Sequence, residues 1–375
     1  MAGLYIHVPF CRKKCPYCNF FSVVSDKLRN DFIELLLSEA NHFASDWSDQ
    51  TMATLYLGGG TPSLLSEEEL RALFKGLRTQ FKISPQAEIT LEVNPDDITL
   101  DSLKLWKDLG INRLSVGLQS LDEAALDFLE RLHSAGESLN KLRLVRNVGF
   151  TNLSLDLIYG IPGLSRQAWL KTLEQVFEFR PEHMSAYALT LEEKTIYDFR
   201  VRRNQVSAPP DDLALAHFHL LRRMARHHGY HFYEVSNLSL PGYHSRHNTS
   251  YWTGVPYLGL GPSAHSFDGR KRWWNPASIS KWRQIVTHKQ DREEEQLSRI
   301  MQLNEYLMTC LRTREGMLFN HFEQRWGKQA LEHLLQKVGK LPRGRILLTH
   351  KGIYVPVRNF MISDGIIREL LEFDA

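Results

Sequence analysis

Cys11, Cys15 and Cys18 lie in the run IHVPFCRKKCPYCNF, spaced C-x3-C-x2-C, while the remaining cysteine, Cys310, is far away in the chain. A 4Fe-4S cluster has four irons, each needing a terminal ligand, and cysteine thiolate is the usual one. Three thiolates from one short segment hold such a cluster and leave one iron open to a small molecule. Two other readings of the same residues stand beside this one. Cysteine is a common core residue, and His7 could complete a tetrahedral Cys3His zinc site.

The elements that must position these thiols alternate over the first 190 or so residues. Short apolar runs at Leu4–Val8, Thr54–Leu57, Glu88–Val93, Arg113–Val116, Asn152–Leu157 and His183–Tyr187 read as strands. Between them, stretches near Lys27–Phe43, Glu67–Phe81, Leu100–Leu109, Ser138–Val148 and Gln167–Phe179 have helical periodicity. Ser66 followed by Glu69 is a capping box, and Gly110 stands where a helix would end on a left-handed residue. The pattern predicts an α/β fold, a partial (β/α)6 barrel. No G-x-G-x-x-G follows a strand, which argues against a Rossmann sheet.

Chemistry in β/α barrels collects at the C-terminal ends of the strands. The first strand leads into the cysteine loop and the second into Gly58-Gly59-Gly60-Thr61-Pro62, whose missing side chains let backbone groups approach a ligand. Glu92 ends the third strand, Gln119 follows the fourth, Arg131 lies in the next helical segment and Asp156 ends the fifth. Each could be an ordinary polar terminus. One after nearly every strand favours a site.

Taken together, LYIHVPFCxxxCxYC, GGGTPS, EVNPD, RLSVGLQS and DLIYGIPG resemble the coproporphyrinogen oxidase-like branch of the radical S-adenosylmethionine (SAM) family over essentially the whole chain. The resemblance implies a 4Fe-4S cluster on Cys11, Cys15 and Cys18. SAM would bind the open iron and could be cleaved to a 5′-deoxyadenosyl radical. It also implies a pocket able to hold two SAM molecules. Tyr5, Tyr17, Gly59 and Glu92 would contact the first, and Gly60, Thr61, Gln119, Arg131 and Asp156 the second. Thr190 and His265 align with further contact positions where the oxidase has other residue types.

Within the branch, the oxidase subfamily carries an N-terminal extension and a further cysteine two residues past the motif. Here the chain begins at the first strand and that position is Phe20. A haem-chaperone subfamily is marked by H-N-x-x-Y-W, found here at His247–Trp252. The resemblance therefore implies haem binding and transfer to acceptor haemoproteins, for which respiratory enzymes are candidates, with radical oxidative decarboxylation of coproporphyrinogen III to protoporphyrinogen IX as the alternative. Physically, an imidazole such as His247 can ligate haem iron, Trp252 offers a flat face to a porphyrin, and Arg246 could meet propionates.

After about residue 205 the character changes. Residues 206–290 read as a connecting segment carrying that motif, and 291–375 as a C-terminal α+β domain. An acid-rich helix is expected over Asp291–Leu311, with helices near Phe319–Trp326 and Lys328–Leu335. An Ile346–Leu348 / Tyr354–Val355 hairpin and a closing helix near Ser363–Leu371 would complete a winged-helix-like module. A groove-reading helix should be basic; Phe319-Asn320-His321-Phe322 is not. With 375 residues, 43% of them hydrophobic, the chain can bury a large core. A net charge of +3 gives no case for nucleic acid. No apolar run is long enough to span a bilayer, which leaves at most peripheral membrane contact. Unpaired thiols kept for a metal point to the cytoplasm.

Overall fold

The computed structural model describes residues 1–25 and 29–372. Six parallel strands form its centre: β1 (Ala2–Val8), β2 (Thr51–Gly59), β3 (Lys82–Val93), β4 (Arg113–Gln119), β5 (Leu153–Tyr159) and β6 (His183–Ala188), in that spatial order. Helices at Phe32–Phe43, Glu67–Gln80, Leu100–Asp108, Ala135–Asn147 and Arg166–Phe179 return the chain between them. This is the six-unit partial barrel expected. The first helix begins at Phe32; Lys27, where it was expected to start, lies outside the described residues. Ser66 and Glu69 form the capping box, and Gly110 has φ +84°.

The strands form as they do because each is buried on its outer face by helices: Leu4, Ile6, Leu55, Leu57, Leu114, Val116, Leu155 and Leu157 are all inaccessible. Trp106 and Trp169 are buried with them. The opposite faces are polar, with Thr54, Thr90, Arg113, Ser115, Ser154 and His183 buried in turn.

Residues 231–296 extend the sheet at both edges. At one edge β7 (His231–Phe232) pairs antiparallel with β8 (Asn237–Ser239), which itself pairs antiparallel with β6. At the other edge β9 (Tyr257–Leu260) pairs parallel with β1, and β10 (His265–Phe267), β11 (Lys271–Trp274) and β12 (Glu293–Gln296) follow antiparallel. One expectation is corrected here. Glu293–Gln296 is a strand whose acids face the Lys271–Trp274 strand, with Lys271 Nζ 2.8 Å from Glu294, and the helix starts only at Arg299. The HNTSYW segment, within the expected connecting region, is a helix, Arg246–Thr253.

Glu39, wholly buried, ties this edge to the barrel. It accepts from Gly261 N (2.8 Å), Asn275 Nδ2 (2.7 Å), Trp282 Nε1 (2.9 Å) and Arg292 Nη2 (2.9 Å). Four donors compensate a carboxylate removed from water. The C-terminal part packs helices Arg299–Cys310, Phe319–Trp326 and Lys328–Lys340 beside a three-stranded sheet of Met317–Leu318, Gly352–Tyr354 and Leu347–Leu348, a winged-helix-like arrangement. Among the described residues, no helix is long and apolar enough to cross a membrane.

Candidate functional site at the barrel mouth

A cavity of about 970 Å³ opens at the C-terminal ends of the strands. Tyr5, Cys11, Cys15, Tyr17, Cys18, Gly59, Gly60, Thr61, Glu92, Gln119, Arg131, Asp156 and Thr190, all expected around the cluster and SAM, line it, whereas His265 does not. The far wall comes from Pro209–Asp211 and from Phe360, Met361 and Asp364 of the C-terminal part.

The cysteine loop is pinned to the barrel by backbone bonds. Cys11 N donates to Val23 O (3.0 Å), Val23 N to Pro9 O (2.7 Å), and Thr61 N to Phe10 O (2.7 Å). Gly59 and Gly60 make this approach possible. A Cβ at Gly59, whose φ is +104°, would stand 2.5 Å from the His7 ring, and one at Gly60 would stand 2.8 Å from Val8 O and Phe10 O. The glycines thus admit the cysteine loop itself, a role in addition to the one expected of them toward a ligand.

The sulfurs meet donors. Thr61 Oγ1 is 3.5 Å from Cys11 Sγ, and Arg131 Nη1 is 3.3 Å from Cys15 Sγ. Asn94 links these two donors, accepting from Arg131 Nη2 and donating to Thr61 Oγ1 (3.3 Å). Burial opposes the charge of Arg131, but Tyr17 and Cys15 beside it raise its pKa further. Burial pushes the Cys18 thiol up, the cost a bound metal would remove. His7 is not a fourth metal ligand: Nδ1 meets Tyr5 OH (3.1 Å) and Nε2 meets Phe21 O (2.8 Å). Burial lowers its pKa to about 4, so the ring is a neutral structural bridge. Three cysteines on one loop, with cationic and hydroxyl donors at two sulfurs, fit a cluster held by thiolates. Cys310 is buried in another part of the chain.

Two carboxylates lie deeper. Glu92 accepts from Tyr56 OH (2.7 Å) and Gly59 N (3.1 Å); burial raises its pKa to about 7, with the Tyr56 bond opposing. Asp156 is raised by burial against bonds from the serines around it, including Ser115 at 3.1 Å. Gln119 has φ +63° at a register shift in β4, an unusual backbone for a residue other than glycine.

A family model described as the Radical SAM superfamily matches residues 5–176. The Heme chaperone HemW of Lactococcus lactis is 31% identical over 93% of each chain. The mitochondrial radical S-adenosyl methionine domain-containing protein 1 of Mus musculus is 31% identical, over 99% of this chain and 87% of its own. The chain belongs to the radical SAM superfamily, in the family of its HemW relatives. Its fold is like that of coproporphyrinogen III oxidase (HemN) from Escherichia coli, with a TM-score of 0.85 at 24% identity over 98% of this chain and 89% of that one. Radical SAM membership implies a 4Fe-4S cluster and SAM, and the barrel mouth has the residues for both.

The HNTSYW segment is not part of that lining. His247 is 1% exposed and lies among buried residues outside the cavity wall. Its Nδ1 meets Thr54 Oγ1 (2.7 Å) and its Nε2 meets Tyr251 OH (2.9 Å). Burial, with Arg113 adding, lowers its pKa to about 3. Both ring nitrogens are therefore bonded to neighbours within the fold. Trp252, half-buried on the same helix, is also outside the cavity lining. His265 is exposed and stacks on Trp274, with ring centroids 5.8 Å apart. The residues sequence reasoning missed are Asn94, Tyr56 and the Phe360–Asp364 wall. Asn94 stood in a quoted motif one residue past its strand; the C-terminal wall has no local signal.

Proposed function

We propose that this protein is a haem chaperone of the radical SAM superfamily: it binds haem and passes it to acceptor haemoproteins, using a cluster on Cys11, Cys15 and Cys18 and SAM beside it. The observation that carries the reading is the single cavity uniting the three cysteines with Glu92, Gln119, Arg131 and Asp156, in a chain similar over nearly its full length to proteins named haem chaperones. When bound, the reduced cluster supplies electrons to the SAM sulfonium.

The chain's own residues do the rest. Arg131 and Thr61 stabilise thiolate charge on Cys15 and Cys11. Glu92 offers an acceptor to the hydroxyls or ammonium of SAM, and Asp156 a second one. The cavity rim has Phe20, 63% exposed, with Tyr187 and Leu191 also exposed and Lys14 beside them. Flat apolar faces and a cation suit a planar macrocycle with two carboxylates. Phe20 also occupies the position at which the oxidase subfamily carries its further cysteine. Unpaired thiols in an oxygen-sensitive site suit a reducing cytoplasm.

The test combines two measurements on one anaerobically reconstituted sample. Haem titration should give a saturable Soret band, and incubation with coproporphyrinogen III, SAM and reductant should give no decarboxylated product. Accumulation of harderoporphyrinogen or protoporphyrinogen IX with turnover would replace the chaperone by the oxidase.

A further inference from the structure

The HNTSYW helix has a second reading, and it points to the SAM site. Its N-terminus is docked on β3. Glu88 accepts from Arg246 N (3.0 Å) and His247 N (3.0 Å), and Ser245 Oγ accepts from Asn248 N (3.3 Å). A carboxylate at that end satisfies free amides and complements the helix dipole. The docking drives the His247 side chain into the barrel. Gly3 leaves it room, since a Cβ there would come within 3.3 Å of the ring.

Inside, the His247 ring stacks on Tyr56, with centroids 5.0 Å apart at 25°, and on Tyr5 at 6.2 Å and 28°. Tyr5 and Glu92 line the SAM cavity, and Tyr56 OH donates to the Glu92 carboxylate. We propose that His247 is a positioning residue of the SAM site: it wedges beneath Tyr56 and so fixes the donor that orients and charges Glu92.

Phenylalanine would fill the same space. An imidazole is needed because its two nitrogens lock the ring's rotation, one against Thr54 and the other against Tyr251. A locked ring gives Tyr56 one position, and with it Glu92. The groups facing Glu92 are Tyr5 from β1, Tyr56 from β2, Arg113 from β4, Asp156 from β5, Tyr187 from β6 and Tyr251 from the motif helix. Of these, Tyr56 and Arg113 favour its ionised form and Asp156 opposes it. Loosening Tyr56 therefore raises the pH at which Glu92 becomes a carboxylate.

The inference rests on the barrel mouth binding SAM, so the experiment measures SAM binding calorimetrically to cluster-reconstituted wild type and variants across a pH series. His247→Ala should weaken SAM binding about tenfold, the scale of one hydrogen bond to a charged group. It should also move the midpoint of the pH dependence upward. Tyr56→Phe should give the same upward move, and His247→Phe, which keeps a ring against Tyr56, should fall between. Iron content and the Soret band on haem addition should match wild type in all three. If His247→Ala does not fold, His247→Phe and Tyr251→Phe carry the comparison. Wild-type affinity and pH profile in the folded variants would overturn the inference. So would a moved Soret band with SAM binding intact, which would make His247 a haem ligand. Wild type that keeps its cluster but binds no SAM would overturn the site reading itself.

Discussion

The two ends of the barrel hold potential ligating side chains in opposite ways. At the mouth, three cysteines are half-exposed on a loop, and the sulfurs of Cys11 and Cys15 meet donors from Thr61 and Arg131. At the floor, His247, Thr54, Tyr251 and Glu88 are paired among themselves. Histidine and tyrosine near a haem signature suggest a ligand when read as a list. In the structure both nitrogens of the buried His247 imidazole are bonded to neighbours. Capacity left over marks the reacting end, and capacity used up marks the scaffold.

The sharpest attempt to break this contrast is Cys15→Ser. It should lose the cluster's iron and sulfide, whereas Cys310→Ser, whose thiol is buried away from the site, should keep both after reconstitution. Iron analysis decides it.

Next comes a pair of buried carboxylates. Glu39 has four donors and Glu92 has two. Glu39→Ala leaves Arg292 buried without its counter-charge, a loss of about 3–5 kcal/mol, read as a lower melting temperature of the cluster-loaded protein. Glu92→Gln should leave the melting temperature close to wild type and weaken SAM binding. The reverse pattern would exchange scaffold and site.

A pH series sharpens the contrast further. The Glu92 pKa is raised to about 7, as is that of Glu234, both chiefly by burial. A raised carboxyl stabilises the fold while it is protonated in both states. That stability is lost as pH rises through about 7. Cluster-free protein should therefore melt at progressively lower temperature from about pH 5 to about pH 8, while SAM binding to loaded protein strengthens as Glu92 ionises. Parallel trends would contradict the assignment. The smallest effect is expected at the rim: Phe20→Ala should weaken haem binding by about 1–2 kcal/mol, the packing of one aromatic face, without altering SAM affinity.

The barrel strands were legible because their helix-facing residues are uniformly apolar and their ends carry single polar residues, so Glu92, Gln119 and Asp156 could be placed at the mouth before any coordinates. The Glu293–Gln296 strand was not. Four consecutive polar residues have no alternation, and only the opposing Lys271–Trp274 strand makes them a strand. The helix over Arg246–Thr253 was also hidden, because Asn, Thr and Ser are weak helix formers; what starts it is Ser245 together with Glu88, 157 residues earlier. The same long-range dependence hid the role of His247 and the C-terminal wall of the cavity. Local pattern locates strand ends, whereas partners from distant segments decide what a buried polar residue does.

The central claim is that the mouth holds an iron–sulfur cluster with one iron open to SAM. Electron paramagnetic resonance of anaerobically reconstituted, dithionite-reduced protein, recorded with and without SAM, tests it most directly. A 4Fe-4S signal that changes on SAM addition and is absent in Cys15→Ser is expected. Protein that takes up no iron and retains stoichiometric zinc, or a cluster signal indifferent to SAM, would contradict it.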